Sequence, residues 1–241
     1  MDDITLTPIG FVNSPYKEKF AIPRQPGLVS AAKGKIILQG ECNNIESVRN
    51  LEQFSHIWLL FVFHGTQKQG WKPLVRPPRL GGNIKVGVLA TRSNFRPNPI
   101  GMSVVKLSNI EVLNQKVILH ISGIDLLDKT PIIDIKPYIP YSDSLPEAHA
   151  GFAQEQPKAN LSVTFSTKVH ASLANYEQAI PELTLLIKQV LAQDPRPAYK
   201  QNKKDDKIYG MNLYDLNIQW KLLDTKNVEV IAISRLTACK L

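Results

Sequence analysis

Short apolar runs divided by Gly- and Pro-rich turns fill the first 150 residues. Lys35–Leu38, Ile57–Phe63, Lys85–Ala90, Ser103–Ile110, Lys116–Ile121 and Ile132–Lys136 read as strands. In Lys116–Ile121, Val117, Leu119 and Ile121 alternate with Ile118 and His120; in Ile132–Lys136, Ile133 and Ile135 alternate with Asp134 and Lys136. Ile57–Phe63 is apolar on both faces, which predicts a central, covered strand. One helix is expected before it, around Ile45–Leu51. Many short strands and few helices predict a mainly β unit, a barrel or closed sheet.

The texture changes after the polar stretch Ser142–Asn160, which carries Pro146, Gly151 and Pro157 and reads as a linker. Leu161–Phe165 reads as a strand, and two helical stretches follow. In the second, beginning near Pro181, Leu183, Ile187, Val190 and Leu191 recur at helical spacing, and Asp194–Pro197 ends it. Leu216, Ile218, Trp220 and Leu222 alternate, as do Val228, Val230 and Ala232, which predicts a hairpin across Asp224–Asn227. The expectation is two domains: residues 1–150, mainly β, and 151–241, a small α+β unit.

Charge sharpens this picture more than composition does. The net charge is +8, yet from Gln53 to Ile110 there is no acid at all. That window holds Lys68, Lys72, Arg76, Arg79, Lys85, Arg92, Arg96 and Lys106, set among Gly, Pro and Trp. Basic charge without counter-charge draws polyanions, although a solubilising face balanced by acids elsewhere is the alternative. No apolar run approaches the ~20 residues of a membrane helix, and the acidic start MDDITLTPIG has no signal-peptide pattern. The two cysteines, Cys42 and Cys239, form no CxxC pair and read as reduced cytosolic thiols.

Several chemistries lack their motifs. No GxGxxG opens a helix, no GxxxxGK[ST] loop is present, and no GxSxG elbow occurs. His56, His64, His120, His149 and His170 do not fall at metal-ligand spacing, so no metal is expected. The run Gly87–Leu107 stands apart. Pro97 and Pro99 hold Arg96 and Asn98 extended, with side chains expected on one side. Gly101 permits close backbone approach. Such a stiff loop suits a phosphate, a carboxylate or a nucleobase, or is simply a structural proline loop with surface arginines.

The stretch ATRSNFRPNPIGMS resembles the signature of the β-barrel tRNA adenosine N6-methyltransferase family. Ile9–Pro15, Phe20–Leu28, Phe54–Trp58 with Phe61–His64, Arg76–Arg79, Asp125–Pro131, Asp134–Tyr138 and Asp194–Tyr199 match in order. The resemblance implies a closed β-barrel that binds S-adenosylmethionine without a Rossmann motif, followed by an α+β domain assisting tRNA binding. It implies methylation of N6 of threonylcarbamoylated adenosine 37 in threonine tRNA by a cytoplasmic homodimer. Another nucleoside or small-molecule substrate, or a non-catalytic RNA-binding module, remains the alternative.

By the same resemblance the cofactor pocket comes from Pro26, Gly27, Leu28, His64, Gly65, Arg92, Met102, Ser122, Gly123, Ile124 and Asp125. His64 and Met102 read equally as core residues, and the two glycine stretches as plain turns. His64 and Asp125 are the candidate bases for removing the N6 proton. Arg92 or Arg96 is expected to meet the threonyl carboxylate, with Asn98 beside them. Arg196, Tyr199 and Lys200, with Lys203 and Lys204, are expected on the RNA, or form a solvated loop with Asp205 and Asp206.

Overall fold

The computed structural model describes residues 4–236 apart from 202 and 204; Cys239 and Lys204 therefore lie outside the described residues. The first half builds β1 (Gly10–Asn13), β2 (Lys33–Leu38), β3 (His56–Val62), β4 (Leu74–Val75), β5 (Val86–Gly87), β6 (Ile100–Leu113), β7 (Lys116–Ser122) and β8 (Pro131–Pro137). Six of these run β1-β2-β7-β6-β3-β8, and β8 pairs back onto β1 at Gly10↔Ile132 and Phe11↔Pro131, so the sheet is a closed barrel. All its pairings are antiparallel.

β3 shows why the sequence folds this way. It pairs with β6 on one side and β8 on the other, which makes it central. Ile57, Leu59 and Phe61 point inward and are buried, each contributing roughly 1.5–3 kcal/mol of transfer free energy. The intervening His56, Trp58, Leu60 and Val62 are only half-buried, so the outer face is less covered than its apolar composition predicts. Gly101 of β6 sits opposite Phe61, and a Cβ there would come within 2.4 Å of the Phe61 ring and 2.8 Å of Phe63. The close approach expected at Gly101 is therefore to aromatic rings.

Two elements depart from expectation. The helix expected at Ile45–Leu51 is two 3-10 turns, Ile45–Val48 and Leu51–Gln53, because Asn50 between them adopts left-handed φ 65. The strand expected at Lys85–Ala90 shrinks to β5, followed by a 3-10 turn over Val88–Ala90. β5 pairs only with two-residue β4, so no ladder extends it.

After β8 come α1 (Pro140–Asp143), then β9 (Ser162–Phe165), α2 (Thr167–Ala179), α3 (Leu183–Ala192), β10 (Tyr209–Leu213), β11 (Leu216–Leu222) and β12 (Asn227–Arg235). Their sheet runs β10-β11-β12-β9, with β9 parallel to β12. The Ser166 side chain caps α2 by accepting from the Val169 amide. Asp224 accepts from the amides of Lys226 and Asn227, which closes the hairpin between β11 and β12.

The two sheets touch along a continuous apolar core. Tyr16, just past β1, bridges to Leu213, and the Tyr214 amide donates to the Pro15 carbonyl. Gln189 of α3 accepts from the Ala31 amide and donates to Ser30. Among the described residues no helix is long and apolar enough to cross a membrane.

Candidate functional site

Loops at one end of the barrel converge, and their contacts tie together the residues expected around a cofactor. β7 ends at Ser122, and Gly123 turns the chain with φ +74, where its amide donates to the Ala32 carbonyl. The Gly123 carbonyl accepts from the Gly27 amide at 2.8 Å. Gly27 itself has φ +79 and open space where a Cβ would stand. Thus Pro26–Leu28 and Ser122–Asp125 form one backbone surface. Next door, Arg92 donates from Nη1 to Gln25 Oε1 at 2.8 Å, which joins the proline loop to the first loop.

From β6, the Ser103 hydroxyl donates to Asp125 Oδ1 at 2.7 Å. Met102, the preceding residue, points outward and is 49% exposed, so it is not core. At the end of β3 the Phe63 amide donates to the Pro99 carbonyl and the His64 amide to the Val62 carbonyl. Lys19 Nζ donates to the Gly65 carbonyl at 2.9 Å. Ser103, Gln25 and Lys19 were not singled out from sequence. Ser103 and Gln25 carried a signal, since Ser103 follows Met102 in the proline-rich run and Gln25 lies within Phe20–Leu28.

Asp125 is the electrostatic centre. Burial pushes its carboxyl up to about 6, against the lowering effects of the Ser103 hydrogen bond and the Arg92 charge. Burial also lowers His64 from its ordinary value, opposed by its hydrogen bond to Val62, with Lys19 adding to the lowering. His64 is therefore a neutral imidazole at neutral pH. Tyr16 lies near Asp125, fully buried, with a hydroxyl that finds no hydrogen-bond partner among the described residues. Among the described residues no group of His, Cys, Asp and Glu could hold a metal ion.

The expected RNA contacts fare unevenly. Arg196 is 1% exposed, and its guanidinium forks onto Asp194 at 2.8 Å through both Nε and Nη2 while Nη1 donates to the Lys203 carbonyl. It fixes the turn after α3 and corrects the reading of an RNA-facing arginine. Arg96 is also turned inward: Nη1 donates to the Thr91 carbonyl at 2.6 Å and approaches the Val88 carbonyl. It satisfies backbone acceptors of its own loop through that one nitrogen, and Asn98 is exposed. Lys200 is held between Tyr209 Oη and Asp205, whereas Tyr199 is exposed.

Two clefts open on the surface of the protein. The larger, about 510 Å³, lies along Ile45–Asn50 and Leu107–Ile110 and contains none of the expected site residues. The smaller, about 230 Å³, runs from Lys19 to Pro195.

With this geometry in place, comparison with known proteins is decisive. Residues 11–144 match the family model of the tRNA-methyltransferase O N-terminal domain, and residues 158–236 match the TrmO C-terminal domain. The chain belongs to the tRNA-methyltransferase O family. It is 51% identical to the tRNA (adenine(37)-N6)-methyltransferase of Escherichia coli K12 over 97% of this chain and 99% of that relative. A Pseudomonas aeruginosa relative, 45% identical over 90% of this chain and 91% of its own length, carries the provisional name S-adenosylmethionine-dependent methyltransferase RcsF. The crystal structure of TrmO from Pseudomonas aeruginosa superposes with a TM-score of 0.82 at 38% identity, covering 97% of this chain and 99% of that one.

Proposed function

We propose that this TrmO family member transfers a methyl group from S-adenosylmethionine to N6 of adenosine 37 of tRNA, with the threonylcarbamoylated adenosine of threonine tRNA as substrate. The observation that carries the reading is a half-buried carboxylate, Asp125, poised near 6 and gripped by Ser103 where the barrel-end loops meet. The full-length likeness to the Escherichia coli enzyme points the same way.

The residues present fit the cofactor. Open space stands beside Gly27, the Met102 thioether is exposed, and a guanidinium and a carboxylate face the same region. Pro26–Leu28 and Ser122–Ile124 would supply backbone groups to adenine and ribose, and His64 and Gly65 would close the edge. When bound, the cofactor supplies an electrophilic methyl group on a sulfonium.

The protein's own task is alignment and proton removal. The N6 nitrogen belongs to a urea-like group and is a poor nucleophile until its proton leaves. Asp125 Oδ2 accepts that proton, while the Ser103 hydroxyl holds Oδ1 in place. A carboxyl near 6 is ionised at neutral pH and still basic enough for the transfer. His64, neutral and near Lys19, is the second candidate base. Arg92, which spends one donor on Gln25 and is exposed, has donors left for the threonyl carboxylate.

Residues 1–150 serve as the cofactor-binding methyltransferase unit and 151–241 assist in holding tRNA in the cytoplasm, with Tyr199 free to stack on a base. Exposed Trp71, Leu74, Ile84 and Leu89, between β3 and β6, favour a homodimer that covers them. Incubating unlabelled bulk tRNA from cells lacking this activity with protein and methyl-labelled cofactor tests the function. Nucleoside mass spectrometry is expected to find the label on N6 of threonylcarbamoyladenosine. Label on another nucleoside, or none, overturns the reading.

A further inference from the structure

The smaller cleft lies between the loop after β1 and the end of α3. Its wall is apolar along Phe20, Ile22 and Pro23 and again at Pro195, and Lys19 and Arg24 bring cations to it. At about 230 Å³ it falls below the roughly 300–1,000 Å³ of a small-molecule pocket, so it suits one planar group and not a whole cofactor. We propose that this cleft is a nucleotide subsite for the tRNA, taking a base next to the methylated adenosine against Phe20 and Ile22 and its phosphate on Arg24.

Three observations support it, and it rests on the reading that the chain methylates tRNA. First, Arg24 is exposed at the mouth of the cleft and makes no hydrogen bond or ion pair with any described residue, so its guanidinium is open to an incoming anion. Asp194, the acid whose charge it feels, already has both oxygens held by Arg196. An incoming phosphate would give Arg24 the partner that the protein withholds. Second, Arg79 itself donates to the carbonyls of Ala153 and Glu155, so the linker is pinned beside Arg24 and a second positive charge is fixed there. Third, the cleft begins at the cofactor end of the barrel. Lys19 lines it, and the same ammonium donates to the Gly65 carbonyl. A base in the cleft would lie one side chain away from the loops that hold Asp125. A base held by stacking and a phosphate held by an arginine together are how single-stranded RNA is gripped without sequence readout.

The test is steady-state methylation of threonylcarbamoylated tRNA by the full-length protein, with cofactor affinity measured separately by calorimetry. Arg24→Ala is expected to raise the KM for tRNA about 10-fold, with the loss absent from cofactor affinity. The slope of log affinity for tRNA against log salt should fall by about 0.7, the value for one phosphate on a single strand. Arg24→Lys should recover part of the KM. Arg24→Ala with the parent KM and parent salt slope overturns the subsite, and so does a raised KM with an unchanged slope. A parent protein that binds cofactor yet methylates no tRNA overturns the underlying function instead, so the two failures are distinct.

Discussion

At the scale of single residues, the proposed role of Asp125 as base couples activity to stability with opposite signs. Its carboxyl titrates near 6 in the fold and near 3.8 when free, so the native state holds the proton more tightly. Asp125's contribution to stability is therefore fully present below about 3.8 and is lost as pH rises through about 6, where the group must ionise in place. Activity runs the other way, since only the ionised form accepts a proton. Asp125→Asn is expected to cut single-turnover methylation about 100-fold and to abolish the rise in rate through pH 6. The same change should stabilise the fold above pH 6, by up to about 2 kcal/mol in a denaturant titration. A variant with parental pH dependence contradicts the assignment of Asp125 as base. Arg196 sits in a basic stretch that looks RNA-facing, but it is buried and spent on internal acceptors, and Arg96 gives one nitrogen to its own loop. Sequence spacing shows where an arginine begins, not where a long side chain ends.

At the scale of elements, alternation was a reliable guide where a strand is paired on both sides. β7, β8, β11 and β12 all lie where the pattern puts them. It failed where tertiary contacts alone hold the chain: β4 and β5 pair only with each other, and Asn50 breaks a stretch of otherwise helical composition. β10 escaped notice because Gly210 interrupts the run, although Tyr209, Met211 and Leu213 do alternate inward. In β6 the critical element is Gly101. Gly101→Ala would drive a methyl group into the Phe61 and Phe63 rings, and these are packed edge-to-face at 5.2 Å with little room to yield. The expected cost is about 2 kcal/mol of unfolding free energy, with cofactor affinity falling as the Phe63–Pro99 link shifts. A parental melting temperature for this variant contradicts the packing account.

At the scale of the whole molecule, the site is an assembly of loops distant in sequence. Gly27 meets Gly123 and Ser103 meets Asp125 because β2, β7 and β6 are neighbours in the sheet, and Gln25 meets Arg92 beside them. Resemblance could name those stretches from sequence, but no local pattern reveals which of them touch. The C-terminal unit is joined to the same end through Tyr16–Leu213, Gln189–Ala31 and the cleft beside Lys19. On the proposed function, a positively charged approach, the proline loop and the Asp125 carboxylate act together on a single adenosine. The measurement that bears most directly on this account is single-turnover methylation of paired anticodon stem-loops of threonine tRNA, identical except for the threonylcarbamoyl group on adenosine 37. The modified stem-loop should react at least about 100-fold faster, because it alone offers Arg92 a carboxylate and Asp125 an acidified N6 proton. Equal rates on the two stem-loops would contradict it.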